Sequence, residues 1–335
     1  LLRDFPDEVR LHLWRYDVLR ANKRAREAAS VLAAIRPVDS DSPDVLARLV
    51  EVLTDEDKKD EAIEALCRVW FAETELSTSP AGYAWKAVER RTPGAYANPL
   101  TGESDWADFK DEAYQDARGR LERGSRPTPT ALSIMAAHAM EREFAKKTAR
   151  QPFWRTWRAG PGVREVLDLL RLVDQAAWAD GHYRAVLFRT LTEYGYQQIV
   201  VRYWKRNRAA VEAQVDSWAE VGRAFLGLDR GKEAHKILAG FRARAGVPMW
   251  AVANYVLSFS RRKRQDWEEI RSACGYALES LTHDNCAKYL AHVQAEMCAL
   301  LDDAAAFRET WLKHSGYFSG ELDEGEWFAG HHRYL

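Results

Sequence analysis

Residues 218–238 read WAEVGRAFLGLDRGKEAHKIL, and this stretch decides the fold that we expect for the chain. Its large apolar residues recur at spacings of three and four, which is the period of one face of an α-helix. A second pattern of the same period follows the turn at Asp229. Because Gly222 lies within the first pattern, the sequence predicts two antiparallel helices that approach each other closely where the side chains are smallest.

The order of residue types in this stretch resembles the tetratricopeptide repeat. That family has the signature W-x2-L-G-x2-Y, followed at set distances by Ala, Phe and Pro. Here Val221 stands for the Leu, Phe225 for the Tyr and Leu238 for the Phe, and Pro248 comes slightly late. The resemblance implies a right-handed α-solenoid, in which antiparallel helix pairs stack on each other.

Other parts of the chain follow the same repeat more loosely. The residues about 34 positions before this stretch, one period of the family earlier, follow the same order of helix, turn and helix. Here the turn is at Gly195, between two apolar helices. Further helix pairs are predicted over residues 250–282 and 286–314, and near the N-terminus over residues 8–36 and 45–71. The alternative is a generic helical bundle with one chance match to the repeat.

The composition of the 335 residues favours an all-α fold and excludes several other classes. With 47% hydrophobic residues the chain can offset the entropy of ordering, so disorder is not expected. It contains no run of about 18 or more apolar residues, so we expect no membrane span. Alternation with period two, which marks a strand, is scarce. Four scattered cysteines argue against a secreted disulfide scaffold and favour a reducing, cytoplasmic location: Cys67, Cys274, Cys286 and Cys298.

Proline and glycine divide the chain into four predicted parts. Residues 1–76 are expected to form N-terminal TPR-like helix pairs, and residues 131–318 the main TPR-like array. Between them, residues 77–130 are rich in Pro, Gly, Ser and Thr, which indicates a loop-rich insertion that contains one polar helix. Residues 319–335 form an acidic C-terminal tail.

The family resemblance implies a concave groove lined by the first helix of each pair. Arg189 and Arg223 are 34 residues apart, so they would project into the groove side by side. Guanidinium groups suit carboxylates, phosphates and peptide carbonyls. The groove candidates are Arg189, Glu193, Arg223, His182 and Trp250. The alternative is that each arginine pairs with an acid on its own helix, Glu193 for Arg189 and Glu220 for Arg223.

A basic zone in the second half of the chain suggests a different partner. Residues 181–275 hold 17 basic and nine acidic residues, whereas residues 276–335 hold four basic and ten acidic ones. The basic patch comprises Arg202, Lys205, Arg206, Arg208, Arg261, Arg262, Lys263 and Arg264. Such clusters can hold the phosphates of a nucleic acid. Helix dipoles also favour cations near helix C-termini, and the acidic end of the chain offers an intramolecular match.

The sequence contains no motif for catalysis or metal binding. It has no phosphate loop, no His-Glu-x-x-His and no Gly-x-Ser-x-Gly motif. The spacing of His283, Cys286, His292 and Cys298 is not that of a zinc finger or ribbon. We therefore expect no metal, no cofactor and no enzymatic activity. The function that the sequence favours is a scaffold or adaptor that binds a protein or peptide partner in the concave groove.

Two alternatives to a peptide-binding scaffold stay open at this point. The first is a nucleic-acid-binding helical repeat protein that uses the basic zone 202–264. The second is an accessory or regulatory region of a larger enzyme, which agrees with a first residue Leu1 in place of Met. Neither alternative involves a membrane.

Overall fold

The structure is a computed structural model, and it describes residues 5, 7–35, 41–72, 79–92, 106, 108–147, 160–176, 182–259 and 263–318. Within these residues the chain forms eighteen α-helices and no strand, so the predicted all-α class is confirmed. The predicted acidic tail at 319–335 and the basic residues Arg261 and Arg262 lie outside the described residues. The chain divides into two compact units, unit 1 (Leu1–Ala179) and unit 2 (Asp180–Leu335).

Unit 1 contains eight helices within its described residues. They are α1 (Val9–Ala21), α2 (Ala25–Ala33), α3 (Pro43–Asp55), α4 (Lys59–Trp70), α5 (Ser79–Arg91), α6 (Phe109–Glu122), α7 (Pro129–Lys147) and α8 (Pro161–Gln175). Helix α3 packs on α2, α4 and α5, and α7 packs on α5, α6 and α8. Each of these two helices therefore contacts both of its neighbours in the chain and one helix two positions away, which is α5 in both cases.

Unit 2 contains ten helices within its described residues. They are α9 (His182–Glu193), α10 (Gln197–Arg206), α11 (Arg208–Glu212), α12 (Val215–Gly227), α13 (Gly231–Leu238), α14 (Met249–Leu257), α15 (Arg264–Ser280), α16 (Ala287–Leu300), α17 (Ala304–Lys313) and α18 (Ser315–Phe318). Four pairs stand out, because α9 packs on α10, α12 on α13, α14 on α15, and α16 on α17. The first helices α9, α12, α14 and α16 also contact one another in that order.

The same turn joins six helix pairs in the described part of the chain. One residue of each turn has a positive φ of 56–90°, and the next amide N–H donates to the carbonyl five residues earlier at 2.7–3.0 Å. This bond defines the Schellman motif, which satisfies carbonyls at a helix C-terminus. Positions 23 and 57 are 34 residues apart, as are 195 and 229, so the turn recurs at a regular interval. The positive-φ residues are Lys23, Asp57, Gly124, Gly195, Asp229 and Asp302.

The described residues of the segment 77–130, which was predicted to be rich in loops, form two helices and the start of a third. Besides α6, which corresponds to the predicted polar helix, it contains α5. Pro80 is the second residue of α5, a position where the missing amide donor has no helical partner to lose. Pro80 and Gly82 therefore lie in the first turn of a helix.

Gly222 is the point of closest approach between α12 and α13. A Cβ atom added there would lie 2.5 Å from Cγ and Cδ2 of Leu238, which is itself fully buried. Trp218, one turn earlier on α12, donates its indole N–H to the carbonyl of Ile237 at 3.1 Å. The small residue and the indole hydrogen bond together define how these two helices pack.

Replacing Gly222 with Ala is expected to destabilise unit 2. Alanine favours a helix by about 1 kcal/mol over glycine, but the new methyl group overlaps Leu238 and forces a shift that costs about 1–3 kcal/mol. We expect urea denaturation to show a lower midpoint for Gly222→Ala than for the wild type. Gly82→Ala is the matched control, because no atom lies within 4 Å of the added methyl group, and it should be neutral or stabilising. A Gly222→Ala protein more stable than wild type would contradict this packing.

Candidate functional site

A groove in unit 2 crosses the first helices of successive pairs. Its volume is about 490 Å³. Helix α14 contributes one face, since its four lining residues have the spacing i, i+3, i+4 and i+7: Trp250, Ala253, Asn254 and Leu257. The other lining residues belong to α9, α12, the segment before α16 and α16 itself, and they are Arg189, Glu193, Arg223, Asp284, Asn285, Cys286 and Tyr289. The groove is therefore formed where side chains of α9, α12, α14 and α16 meet.

Four of the five predicted groove candidates line this groove. Two of them lie on α9, one on α12 and one on α14, and they are Arg189, Glu193, Arg223 and Trp250. His182, the fifth candidate, begins α9 and is not among the lining residues. Its Nδ1 atom lies 2.9 Å from Oδ2 of Asp216, at the start of α12. Equivalent positions in successive first helices thus meet in the groove, whereas His182, the first residue of α9, lies outside it.

A buried carboxylate on α12 binds both groove arginines. Glu220 is 0% exposed, and it accepts a hydrogen bond of 2.9 Å from Nε of Arg189. Its other oxygen, Oε2, lies 3.7 Å from Nη1 of Arg223 and has no hydrogen-bond partner among the described residues. Burial raises the pKa of Glu220, and the charges of Arg189 and Arg223 oppose that rise. Glu220 therefore fixes where the two guanidinium groups lie.

A second ion pair joins α9 and α12. Nη2 of Arg223 lies 3.5 Å from Oε1 of Glu193, so each arginine is paired with an acid on the neighbouring helix. The contact within α12 between Arg223 and Glu220, which the sequence offered as an alternative, is also present. The bond from Arg189 to Glu220 was missed, because partners 31 positions apart leave no local signal.

Arg189 also contacts an aromatic ring. Its guanidinium carbon lies 5.8 Å from the centroid of Trp250, a distance at which the ring face attracts a cation. Because Nε is bonded to Glu220, the two Nη groups are the donors that Arg189 can present to a ligand. The Arg189 side chain is partly exposed, so it forms a positioned pair of donors at the edge of the groove.

The rest of the groove is mainly apolar. Leu257 is 53% exposed, so its side chain presents apolar surface to the groove. The carboxylate of Asp284 accepts the backbone N–H groups of Trp250 at 3.2 Å and Cys286 at 2.7 Å, so it connects α14 with the segment before α16. Burial raises the pKa of the Cys286 thiol to about 11, so this cysteine is protonated at neutral pH and is not an activated nucleophile.

The predicted basic patch forms a surface separate from the groove. Its described members are exposed, and none lines the groove: Arg202, Lys205, Arg206, Arg208, Lys263 and Arg264. Nε of Arg208 donates to Glu212 at 2.8 Å, within α11. Arg264, at the start of α15, lies 3.9 Å from Glu268. These two arginines therefore have acidic partners on their own helices.

Unit 1 contains a second buried carboxylate, Glu51 on α3, which the sequence did not single out. The hydroxyls of Tyr16 and Tyr83 donate to its Oε2 atom at 2.9 and 2.7 Å. Nη2 atoms of Arg20 and Arg90 donate to Oε1 at 2.9 and 2.6 Å. Burial acts to raise the pKa of Glu51, but the tyrosine hydrogen bonds and Arg20 lower it overall. Since these donors come from α1 and α5, Glu51 ties three helices together.

The described residues define the class of protein as all-α, built from helix pairs with a mixed cationic and apolar groove. Within the same ranges, no three His, Cys, Asp or Glu side chains come close enough together to hold a metal ion. Nor does any helix described here combine the length and apolar character that a bilayer span needs. No known protein family and no curated protein matches the chain.

Proposed function

We propose that this chain is a binding scaffold, in which TPR-like helix pairs of unit 2 hold a peptide or a partner helix in the groove. Each unit is a right-handed α-solenoid in this proposal, as the family resemblance implies. The observation that carries it is the groove itself, because one helix face of α14 lies beside two positioned arginines from α9 and α12. The chain supplies a surface and no chemistry of its own.

Contacts between successive pairs support a repeating architecture. Many of them join residues separated by a nearly constant interval of 34 or 35 positions. They include Trp250 with Asp284, Glu279 with Lys313, His283 with Tyr317, Asp57 with Arg91 and Tyr16 with Glu51. Such an interval is what a stack of similar helix pairs produces, because each pair contacts only the next.

The groove favours a partner with a particular chemistry. The Nη groups of Arg189 and Arg223 suit a carboxylate or a backbone carbonyl of the ligand. An apolar side chain of the ligand that covers Leu257 stabilises the complex by about 25 cal/mol per Å² of apolar surface buried. We therefore expect peptides that combine an acidic residue with a large apolar residue, bound in the manner of other grooves that use apolar anchors.

Selection from a peptide library tests this chemistry. The full chain is panned against random peptides of about twelve residues, and the affinity of each selected peptide is measured by fluorescence anisotropy. We expect the selected peptides to share an Asp or Glu near a large apolar residue. A selection that yields no binder, or only binders without acidic residues, would contradict the proposal.

Replacing Leu257 with Glu is expected to weaken peptide binding at least tenfold, which corresponds to about 1.4 kcal/mol. The substitution removes apolar surface and places a carboxylate where it competes with the ligand for the arginines. Leu312→Glu is the matched control, because Leu312 is 64% exposed on α17 and does not line the groove. Equal affinity of the two variants for the selected peptides would remove this face of α14 from the binding site.

The role of Arg189 in binding has to be tested in a variant in which residue 220 carries no charge. Removing Arg189 alone would leave a buried carboxylate with one partner fewer, and the protein would lose stability for that reason. Adding Arg189→Ala to Glu220→Gln is therefore compared with Glu220→Gln alone. We expect Arg189→Ala to lower the affinity for acidic peptides by a further factor of about ten. The affinity for the same peptides with the acid replaced by its amide should fall much less. Equal losses for both peptides would show that Arg189 does not recognise the carboxylate.

A further inference from the structure

Two helices of unit 2 expose five cations that form no ion pair with any described residue. Three lie on α10 and two on α13, and all five are exposed: Arg202, Lys205, Arg206, Lys232 and Lys236. Glu212 and Glu233 are the acidic residues of α11 and α13, and each is already bonded, to Arg208 and Arg230. The surface defined by the five cations, the cationic face, therefore has a positive charge that its own helices do not neutralise.

Helix geometry places four of the five cations away from the buried residues of their helices, and Lys205, four positions after buried Val201, lies at the side of α10. Val200 and Val201 are the buried residues of α10, and Ala234 and Leu238 those of α13. Both helices pack on α12. Lys232 and Lys236 are each two positions from Ala234, which is about half a turn of helix. The cationic face is thus the outer face of α10 and α13, and none of its residues lines the groove.

Helix stability does not account for this charge. Cations in the last turn are favoured by the helix dipole, and Lys205, Arg206 and Lys236 lie there. Arg202 lies in the middle of α10, however, and Lys232 lies in the first turn of α13, where the dipole disfavours a positive charge. The helix dipole therefore does not explain these two cations.

The side chains around the cations indicate the kind of anion that fits. Trp204 is the tryptophan of α10, and its ring meets the edge of Phe225 at 5.6 Å while its indole N–H donates to Glu212. It is therefore committed to the packing of α10, α11 and α12 and is not offered to an unpaired base. The exposed large apolar residues of the described chain all lie on other segments. Because no exposed large apolar side chain accompanies these cations, stacking of single-stranded bases and insertion into a lipid layer are both disfavoured.

From these observations we infer that the cationic face binds duplex nucleic acid through its phosphates, without reading the base sequence. A duplex carries one negative charge for about every 1.7 Å of its axis, and neutralising it releases counterions. On α10 the cations at i, i+3 and i+4 lie about 5–6 Å apart, so they can contact neighbouring phosphates. This site is separate from the peptide groove and does not depend on the proposed function.

A salt titration with the full chain measures the number of phosphates bound. The probe is a fluorescein-labelled DNA duplex of about 20 base pairs, followed by anisotropy between about 50 and 200 mM salt. If all five cations contact phosphates, the logarithm of the affinity should fall with the logarithm of the salt concentration with a slope of about −4.5. Replacing Arg202, Lys205 and Arg206 by Gln should reduce the slope by about 2.7.

A charge-matched control separates this face from a general effect of net charge. Replacing Arg202, Lys205 and Arg206 by Glu should weaken duplex binding at least tenfold. The control replaces Arg10, Arg15 and Arg26 by Glu, since these are also exposed and give the same change in charge. Leu257→Glu should leave duplex binding unchanged, so the peptide groove is tested independently.

Several results would overturn the inference. They are the absence of duplex binding at about 50 mM salt, equal weakening by the two charge-reversal variants, and tighter binding to a single strand of the same length. Binding to vesicles that contain phosphatidylserine, without binding to the duplex, would assign the cationic face to a membrane surface instead.

Discussion

Replacing Glu51 with Gln is expected to lower the free energy of unfolding of unit 1 by about 3 kcal/mol. The wild-type carboxylate accepts four hydrogen bonds, two from tyrosine hydroxyls and two from guanidinium groups. A glutamine amide puts an N–H donor where one of the accepting oxygens was, so one pair of donors loses its acceptor. Buried groups left without a partner carry their full desolvation cost.

Urea denaturation of the two proteins, followed by circular dichroism, measures this loss. Glu64→Gln is the matched control, because Glu64 on α4 is exposed and pairs with a single arginine, Arg120. Exposed ion pairs contribute at most about 1 kcal/mol, so the control should unfold at nearly the wild-type midpoint. If the Glu51→Gln protein were no less stable than the Glu64→Gln protein, the buried Glu51 carboxylate would not hold α1, α3 and α5 together.

The stability of unit 1 is expected to decrease by up to about 3 kcal/mol as the pH falls from about 6.5 to about 4. His138 on α7 is 2% exposed. Burial lowers the pKa of His138 to about 4, although its hydrogen bond to Asp111 and the charge of Asp111 oppose the shift. Its Nε2 atom lies 2.9 Å from Oδ1 of Asp111, and Arg142 bonds the same oxygen at 3.0 Å.

The direction of this effect follows from which state binds the proton. An exposed histidine in the unfolded chain has a pKa near 6.5, so between about pH 6.5 and 4 the unfolded state binds a proton that the folded state excludes. Protonation therefore favours unfolding in this range, and the loss is complete below pH 4. Stability curves at several pH values should show this decrease for the wild type and lack it for His138→Gln. The same decrease in both proteins would assign it to carboxylates instead.

The helices and turns of this protein could be predicted largely from local sequence. The turn at Gly195 and the turn at Asp229 lie where the apolar periodicity is interrupted, and the structure has a Schellman turn at each. Pro80, part of the segment predicted to be rich in loops, lies in the first turn of α5, a position that tolerates proline. Whether a proline begins a helix depends on the residues after it and on whether that helix can pack against others. Helix α5 packs on α3, α4 and α7.

The groove was predictable only in part. The interval between Arg189 and Arg223 suggested that both face one surface, and both line the groove. Glu220 and Leu257 gave no such indication, since a charged residue and a leucine on amphipathic helices are usually exposed and buried respectively. In the structure Glu220 is the buried residue and Leu257 the exposed one. His182 was also a groove candidate; it is the first residue of α9, lies beside Asp216 and is not among the lining residues.

The sequence by itself determined the all-α class, the helix period and the sites of several turns, because these depend on interactions within about five residues. The tertiary structure decided which acids meet Arg189 and Arg223, that Glu51 accepts four donors, and that His138 is buried beside Asp111. Such contacts join residues about 25 to 40 positions apart, and the free energy of each depends on how much water the packed helices exclude. Exclusion of water is a property of the packed assembly of helices, and no single segment contains it.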